Sequence, residues 1–312
     1  MCDAANRDNL VTRSSLTSVV QPHPAGLVNC RYPFNVGWYG DGQDQHITNF
    51  TALPELLKPL GYKTHAIGKW DVGFVVQDTT PTYKGFDTFL GYYKACNNDL
   101  FFHSTGTCSK YPNATPTDMS RNVGHHIGPA KGLNGTYSTR AFAKEAVDLI
   151  QAHDASQPLY MYVAPQNVHL ACGTKASKLV QGIQAPCETT ALYPNVVNDT
   201  FKAQSAVTTE LDYLVGNVTE ALKQTGLWED TVVVFTSDNG GPLDHTTNWP
   251  LRGGKHTFWD GGVRVVAVVA GGALPAGRRG QIYAGLAHSS DWYATMVEGI
   301  AGGKIPDHTG PF

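Results

Sequence analysis

Two stretches of this chain are apolar at every successive position, and helical patterns lie before, between and after them. Residues 158–165 read PLYMYVAP, and residues 232–235 read VVVF. A strand that is apolar at successive positions is buried on both faces, as in parallel sheets covered by helices. The alternation therefore predicts an α/β fold with a mostly parallel central sheet and helices on both faces.

The spacing of apolar residues indicates two long helices. One covers residues 138–153, with Ser138 as the expected N-cap. The second covers residues 201–224, with Gly226 as the expected C-terminal cap. The apolar faces consist of Phe142, Ala146, Leu149 and Ile150 in the first helix, and Leu211, Leu214, Val215, Val218 and Leu222 in the second.

Shorter elements fill the remainder of the pattern. We predict a short helix over residues 51–62, strands over 63–70 and 263–272, and a last helix over 289–302. Residues 92–135 and 170–200 show weak periodicity, and we expect them to form long surface insertions.

Composition excludes some classes of partner. The chain has 312 residues, 41% of them hydrophobic, which suffices for two domains or for one large α/β domain. Lys plus Arg number 23 and Asp plus Glu number 26, giving a net charge of −3. No basic cluster indicates a nucleic-acid surface, and no apolar run is long enough to span a membrane.

Several features are typical of secreted proteins. Six cysteines are present, and local disulfides are expected between Cys96 and Cys108 and between Cys172 and Cys187; buried free thiols are the alternative. The N-terminus has no apolar signal-peptide region, although the body of the chain indicates passage through the secretory pathway. Asn-x-Ser/Thr glycosylation sequons occur at Asn49, Asn113, Asn134, Asn198 and Asn217.

Polar residues follow three of the predicted strands. Ligands of open α/β sheets bind beyond the carboxyl ends of the strands, so these side chains are candidates for one site. Asp and Asn oxygens suit a hard cation such as Ca²⁺ or Mg²⁺. The candidates are Lys69 and Asp71 after residues 63–68, Gln166, Asn167 and His169 after 158–165, and Asp238 and Asn239 after 231–236.

Each candidate taken singly has a simpler interpretation. Asp238, Asn239 and the glycines after them also form an ordinary turn sequence. A lone His169 is more often a structural histidine, Lys69 a solvated surface charge, and the glycines before Lys255 a flexible loop. The joint placement after strands favours a site.

Six segments, in this order, resemble the sulfatase family, and within it the arylsulfatase B type. They are GKWDVG (68–73), GFDTFLGY (85–92), NVHL (167–170), VVVFTSDNGG (232–241), NWPLRGGKHTFWDGGVRV (248–265) and HSSDWYATM (288–296). CRYPFNVG (30–37) is similar to the segment that follows the family's nucleophile. The resemblance implies an alkaline-phosphatase-like fold and a sulfuric ester hydrolase that uses Ca²⁺ and a formylglycine made from Cys or Ser.

The resemblance also implies roles for individual residues. Asp238 and Asn239 match two metal ligands, and Lys69, His169 and Lys255 match groups that hold the sulfate oxygens. His169 or Lys255 is the candidate acid that protonates the leaving oxygen. Fixed positive groups in a pocket poor in water are what charge developing on oxygen requires.

Three features depart from the family pattern. The first departure is that no strand ending in two aspartates, the other metal ligands, is predicted before residue 30. The second is that the nucleophile position holds neither Cys nor Ser: one register places Asn9 there with Arg13 as the motif arginine, and the other places Val20 there with Pro22 matching. The third is Asp71, which stands where the family usually has His, and a carboxylate facing sulfate is repulsive.

These departures lead to a prediction of domains and to alternative functions. We expect residues 1–29 to form an atypical N-terminal segment without regular order, interrupted by an insertion at 17–29. Residues 30–312 are expected to form the sulfatase-like α/β domain, with the smaller C-terminal subdomain largely missing. The alternatives to sulfate ester hydrolysis are an inactive relative that binds anions or sulfated glycans and a phosphatase or phosphodiesterase.

Overall fold

The computed structural model describes residues 15–20 as backbone, and 51–94, 99–104, 116–171, 182–244 and 246–306. Its strands are β1 Ser15–Val20, β2 Lys63–Lys69, β3 Thr88–Tyr92, β4 Ser120–Val123, β5 His126–Pro129, β6 Leu159–Ala164, β7 Thr231–Thr236 and β8 Ala267–Ala270. The helices are α1 Leu53–Leu57, α2 Ser138–Gln151, α3 Cys187–Thr190, α4 Asp199–Gln224, α5 Asp260–Val263 and α6 Asp291–Ala294, the last continued by a π-helix over Thr295–Ile300.

The strands of the described ranges form one eight-stranded sheet in the order β5-β4-β3-β2-β6-β1-β7-β8. The five inner strands, from β3 to β7, are parallel to one another. Strands β4, β5 and β8 are antiparallel to their neighbours and extend the two edges. The predicted mostly parallel α/β sheet is confirmed.

Strand β1 lies within the N-terminal segment, and it ends at Val20 rather than in a pair of aspartates. Its backbone lies between β6 and β7, with Leu16 opposite Tyr160 on one side and opposite Val232 on the other. It therefore occupies the centre of the sheet, within the N-terminal segment that the sequence separated from the α/β domain. Backbone ladders form independently of side chains, so a half-polar run such as SLTSVV can fill such a position.

Alternate residues of the inner strands pack into two separate cores. On one face, Tyr160, Tyr162 and Val234 pack with α1, α6 and the π-helical turn. On the other face, Met161 and Val233 pack against the apolar faces of α2 and α4. Because both faces of the sheet are covered, apolar side chains predominate along β6 and β7, which explains their apolar runs.

The two long helices match their predicted positions to within two residues at each end, but the N-cap of α2 differs from the prediction. Helix α2 begins at Ser138, and its N-cap is Tyr137, so Ser138 is not the cap. The Ser138 hydroxyl is buried without a hydrogen-bond partner in the described structure. Asn198 caps α4 by accepting a hydrogen bond from the backbone N–H of Phe201. Gly226 follows α4 in the left-handed conformation that terminates helices, as expected.

The described parts of the two segments predicted as surface insertions contain regular elements. Strands β4 and β5 lie within residues 92–135 and extend the sheet beyond β3. Helix α3 lies within residues 170–200 and packs against α4. The apolar residues of these segments show weak periodicity because edge strands and short helices bury few residues.

The features typical of secretion fall partly outside the described ranges. Asn134, Asn198 and Asn217 are exposed, and Asn49 and Asn113 lie outside. Cys187 is exposed, and the other cysteines of both expected disulfides lie outside as well. Among the helices of the described part, none is both long and apolar enough to cross a membrane.

Candidate active site

A cleft of about 370 Å³ opens beyond the carboxyl ends of β6 and β7. Five of the candidate residues line it, namely Asn167, His169, Asp238, Asn239 and Lys255. Apolar side chains, including Val168, Leu170, Leu211 and Phe235, form much of the remaining wall. The cleft therefore combines a charged end with an apolar one.

Asp238 and Asn239 face the cleft from the turn that ends β7. Asp238 Oδ1 accepts a hydrogen bond from the backbone N–H of Asn239 at 2.8 Å. The side-chain nitrogen of Asn239 donates to the Gly240 carbonyl oxygen at 2.9 Å. The side-chain oxygen of Asn239 takes no part in this hydrogen bond. Burial raises the pKa of Asp238 above its ordinary value, against the opposing effect of the positive charges of Lys69 and Lys255.

The two glycines after Asn239 are needed for close packing. Neither has a left-handed backbone angle. A Cβ on Gly240 would collide with the Gly261 carbonyl oxygen, and one on Gly241 would collide with the Thr246 hydroxyl. The absence of side chains lets residues 246–262 fold back against the end of β7, and this brings Lys255 into the cleft.

His169 and Lys255 contact each other across the cleft although 86 positions separate them in sequence. Lys255 Nζ lies 3.1 Å from His169 Nε2, and His169 Nδ1 lies 2.9 Å from the Leu170 carbonyl oxygen. A carbonyl only accepts, so Nδ1 carries the proton and Nε2 accepts from the lysine. Burial and the charges of Lys255 and Lys69 lower the pKa of His169 to about 4, so its ring is neutral near pH 7.

Lys69 lies at the end of β2 and pairs with Asp71. Lys69 Nζ is 3.3 Å from the Asp71 carboxylate, and both side chains are largely buried. The charge of Lys69 lowers the pKa of Asp238 and of His169, so it acts on the same rim from the neighbouring strand end. Asp71 adopts a left-handed backbone angle of 51°, which turns the chain immediately after the strand.

The side-chain oxygens of Asp238 and Asn239 fit part of a binding site for a hard cation. The carboxylate of Asp238 and the amide oxygen of Asn239 are the oxygen ligands that Ca²⁺ or Mg²⁺ prefers. Calcium takes six to eight oxygens, however, and Asp238 and Asn239 supply a minority of these. Within the described ranges, no group of three or more His, Cys, Asp and Glu side chains could hold a metal ion.

Some residues at this rim gave no clear sequence signal. The hydroxyls of Tyr92 and Tyr162 are buried without a hydrogen-bond partner in the described structure. Burial raises the pKa of Tyr162 most, and Tyr160 and the carboxylates of Asp238 and Asp71 raise it further. In sequence this tyrosine belongs to an apolar strand, so only its position in the sheet relates it to the site. His256 also lines the cleft, in a left-handed conformation with φ of 68°.

The fold and the site together define a class. This is an α/β protein with a covered, mostly parallel sheet, at whose carboxyl rim cationic side chains and hard oxygen donors converge. The family model for sulfatases matches residues 10–300. The chain therefore belongs to the sulfatase family.

Individual relatives agree with this assignment. Arylsulfatase J of Mus musculus is 35% identical over 258 residues, covering 82% of this chain and 40% of that protein. Arylsulfatase A of Homo sapiens is 27% identical, covering 94% of this chain and 56% of that protein. This chain thus spans about half the length of these relatives.

A solved structure confirms the fold. The crystal structure of Ps i-CgsB in complex with k-i-k-neocarrahexaose superposes with a TM-score of 0.75 at 24% identity, covering 95% of this chain and 66% of that one. The predicted sulfatase-type fold is confirmed.

Proposed function

We propose that this chain carries the catalytic face of a sulfate ester hydrolase acting on aryl or sugar sulfates. The observation that carries the proposal is the contact of Lys255 with a neutral His169 beside Asp238, in a chain of the sulfatase family. A sulfate ester is an anion, and Lys255 and Lys69 provide the positive charge to hold its oxygens. The apolar wall of the cleft suits the carbon skeleton of the leaving alcohol.

The protonation states favour Lys255 as the acid. His169 has its acceptor nitrogen directed at Lys255, and its lowered pKa leaves no proton on Nε2 near neutral pH. Lys255 therefore presents the transferable proton at this point, and His169 is placed to orient the ammonium group. The proposed division of roles is Lys255 as donor to the leaving oxygen and His169 as its partner.

Asp238 and Asn239 are the residues that would hold a divalent cation, with Ca²⁺ as the proposed ion. Such an ion supplies positive charge that polarises sulfate oxygens. The nucleophile, expected as a formylglycine, has no assigned precursor, because both alignments place residues other than Cys or Ser at its position.

A second function, anion binding without turnover, is supported by two observations. Asp71 pairs with Lys69 and offsets its charge, and no Cys-x-Pro-x-Arg sequence occurs in the chain. Phosphatases and phosphodiesterases of similar fold hold two metals with several Asp and His residues. The described ranges contain no cluster of that kind, and the family membership favours sulfate.

One experiment separates these functions. The purified chain is incubated with 4-methylumbelliferyl sulfate and Ca²⁺, and its peptides are searched by mass spectrometry for formylglycine. We expect turnover that falls about a hundredfold or more in Lys255→Ala and His169→Ala. Lys144→Ala is the control, since that lysine pairs with Asp148 on the exposed face of α2. No turnover together with stabilisation by Ca²⁺ and sulfate would favour the binding function.

The exposed sequons support passage through the secretory pathway as a further part of the proposal. Asn134, Asn198 and Asn217 are accessible to glycosylation in the folded chain. The substrate would accordingly be encountered outside the cytosol.

A further inference from the structure

The loop that carries His169 closes on itself through the residue at its start. Gln166 accepts a hydrogen bond at its carbonyl oxygen from the His169 backbone N–H at 2.7 Å. Its side-chain nitrogen donates to the Leu170 carbonyl oxygen, also at 2.7 Å. The Leu170 oxygen is the same atom that accepts from His169 Nδ1. Gln166 therefore holds both the backbone of His169 and the acceptor of its ring.

The next residue anchors this loop to two helices. Asn167 Oδ1 accepts from the Thr139 hydroxyl at 2.6 Å and from the Tyr137 hydroxyl at 3.2 Å, at the start of α2. Its Nδ2 donates to the Val207 carbonyl oxygen of α4 at 2.7 Å. Gln166 and Asn167 are 1% and 2% exposed, so water cannot replace these hydrogen bonds without local opening.

We propose that Gln166 is a positioning residue that holds His169 in the Nδ1-protonated tautomer and directs its Nε2 at Lys255. The Leu170 oxygen is fixed by Gln166 and can only accept, so the ring nitrogen facing it must carry the proton. The other nitrogen is then an acceptor at 3.1 Å from the lysine. Asn167 keeps this loop in register with α2 and α4.

The two lysines near the ring favour its neutral form. Lys255 and Lys69 disfavour the imidazolium form, and Asp238, Asp244 and His256 are the other titratable groups that line the cleft. Without Gln166 the Leu170 carbonyl and the ring become free to turn. The ring then gains access to the second tautomer and to water.

The test reads the tautomer directly by NMR of protein labelled with ¹⁵N in histidine. The His169 signals are assigned by their absence from His169→Asn. In the parent protein we expect one tautomer, protonated at Nδ1, that titrates near the value of about 4. In Gln166→Met, which keeps the length but not the donor, we expect mixed tautomers of His169.

Asn122→Leu is the matched control. Asn122 lies on β4 and is a fully buried amide whose described side-chain hydrogen bonds are with the Tyr93 hydroxyl. It should lower stability and leave the His169 signals unchanged. An unchanged His169 tautomer in folded Gln166→Met would overturn the proposal. If that variant does not fold, Thr139→Val loosens Asn167, and an unchanged His169 signal there has the same consequence.

The effect on catalysis rests on the proposed function, whereas the tautomer does not. If the parent protein turns over a sulfate ester, Gln166→Met should lower kcat more than it raises KM. A parent protein without turnover but with the expected tautomer change would count against the proposed hydrolase and in favour of the positioning role.

Discussion

Asp71 is the residue whose chemistry differs most from what an anion site needs. Its carboxylate sits next to Lys69, at 3.3 Å from the ammonium nitrogen, and so offsets the charge that would hold sulfate. The sequence predicted that the Asp71 carboxylate would repel a sulfate. The ion pair with Lys69 explains how the carboxylate is tolerated at this rim. The positive charge of Lys69 would therefore be shared between Asp71 and any anion that binds at this rim.

Replacing Asp71 by Asn should strengthen sulfate binding. Removing the carboxylate frees the Lys69 charge for the anion, and Asn tolerates the left-handed backbone angle of 51° at this position. We expect the Kd for sulfate to fall by about three- to tenfold, on the order of 1 kcal/mol, as for a partly buried charge pair. Isothermal titration calorimetry with sodium sulfate measures the change, which should shrink as salt is added.

Asp148→Asn is the control for that titration. It removes a carboxylate of the same charge from an exposed pair with Lys144 on α2, far in the fold from the rim. Equal tightening in both variants would mean that net charge, and not the Lys69 contact, determines the affinity.

At the scale of elements, one buried carboxylate joins three helices behind the cleft. Glu210 of α4 is 1% exposed and accepts two hydrogen bonds from Arg140 of α2, at 2.8 and 2.6 Å. Thr189 of α3 also donates to it. Arg140 reaches Glu188 of α3 with its remaining nitrogen. This network fixes α2 against α4, and these two helices anchor the His169 loop through Asn167.

Arg140→Met should therefore destabilise the fold. It leaves Glu210 buried without its cation, and removing one partner of a buried pair costs about 3 kcal/mol or somewhat less where the arginine is partly exposed. Chemical denaturation measures the loss. Lys144→Met, one turn along the same helix in an exposed pair, should change stability by less than about 1 kcal/mol. Similar losses in both variants would contradict a special role for Glu210.

At the scale of the whole molecule, buried titratable groups set how stability depends on pH. Burial lowers the pKa of His65 and of His169 to about 4, and it raises the pKa of Asp118 to about 6. Between about 4 and 6.5 the unfolded chain binds protons on both histidines that the folded chain does not, so acidification destabilises the fold. Between about 3.8 and 6 the folded Asp118 binds a proton that the unfolded one does not, which opposes this loss.

Asp118→Asn should remove the opposing effect and steepen the loss of stability on acidification. The Tm, measured by thermal unfolding from about pH 7 to pH 4, should fall more steeply in the variant than in the parent. At neutral pH the variant should be at least as stable, because one oxygen of this buried carboxylate lacks a hydrogen-bond partner in the described structure. Parallel curves for the two proteins would show that Asp118 ionises normally in the fold.

Local sequence patterns were sufficient to predict the layers of the fold and most of the residues at the carboxyl ends of its strands. Val232, Val233 and Val234 follow one another without a polar residue, and this required a sheet covered on both faces. Asp238 and Asn239 had to lie at the carboxyl end of that strand because they directly follow it in sequence. Such features depend on neighbours along the chain, and period and order along the sequence encode them.

Other features depended on contacts between distant parts of the chain. The sequence by itself determined a covered parallel sheet and the residues at its strand ends. Only the tertiary structure decided that Ser15–Val20 lies in the centre of the sheet, that Asp71 neutralises Lys69, and that His169 accepts from Lys255. The hydrogen bonds between strands join main-chain N–H and C=O groups, so a half-polar segment can form them as well. The position of a proton depends on which groups the fold brings within hydrogen-bond distance.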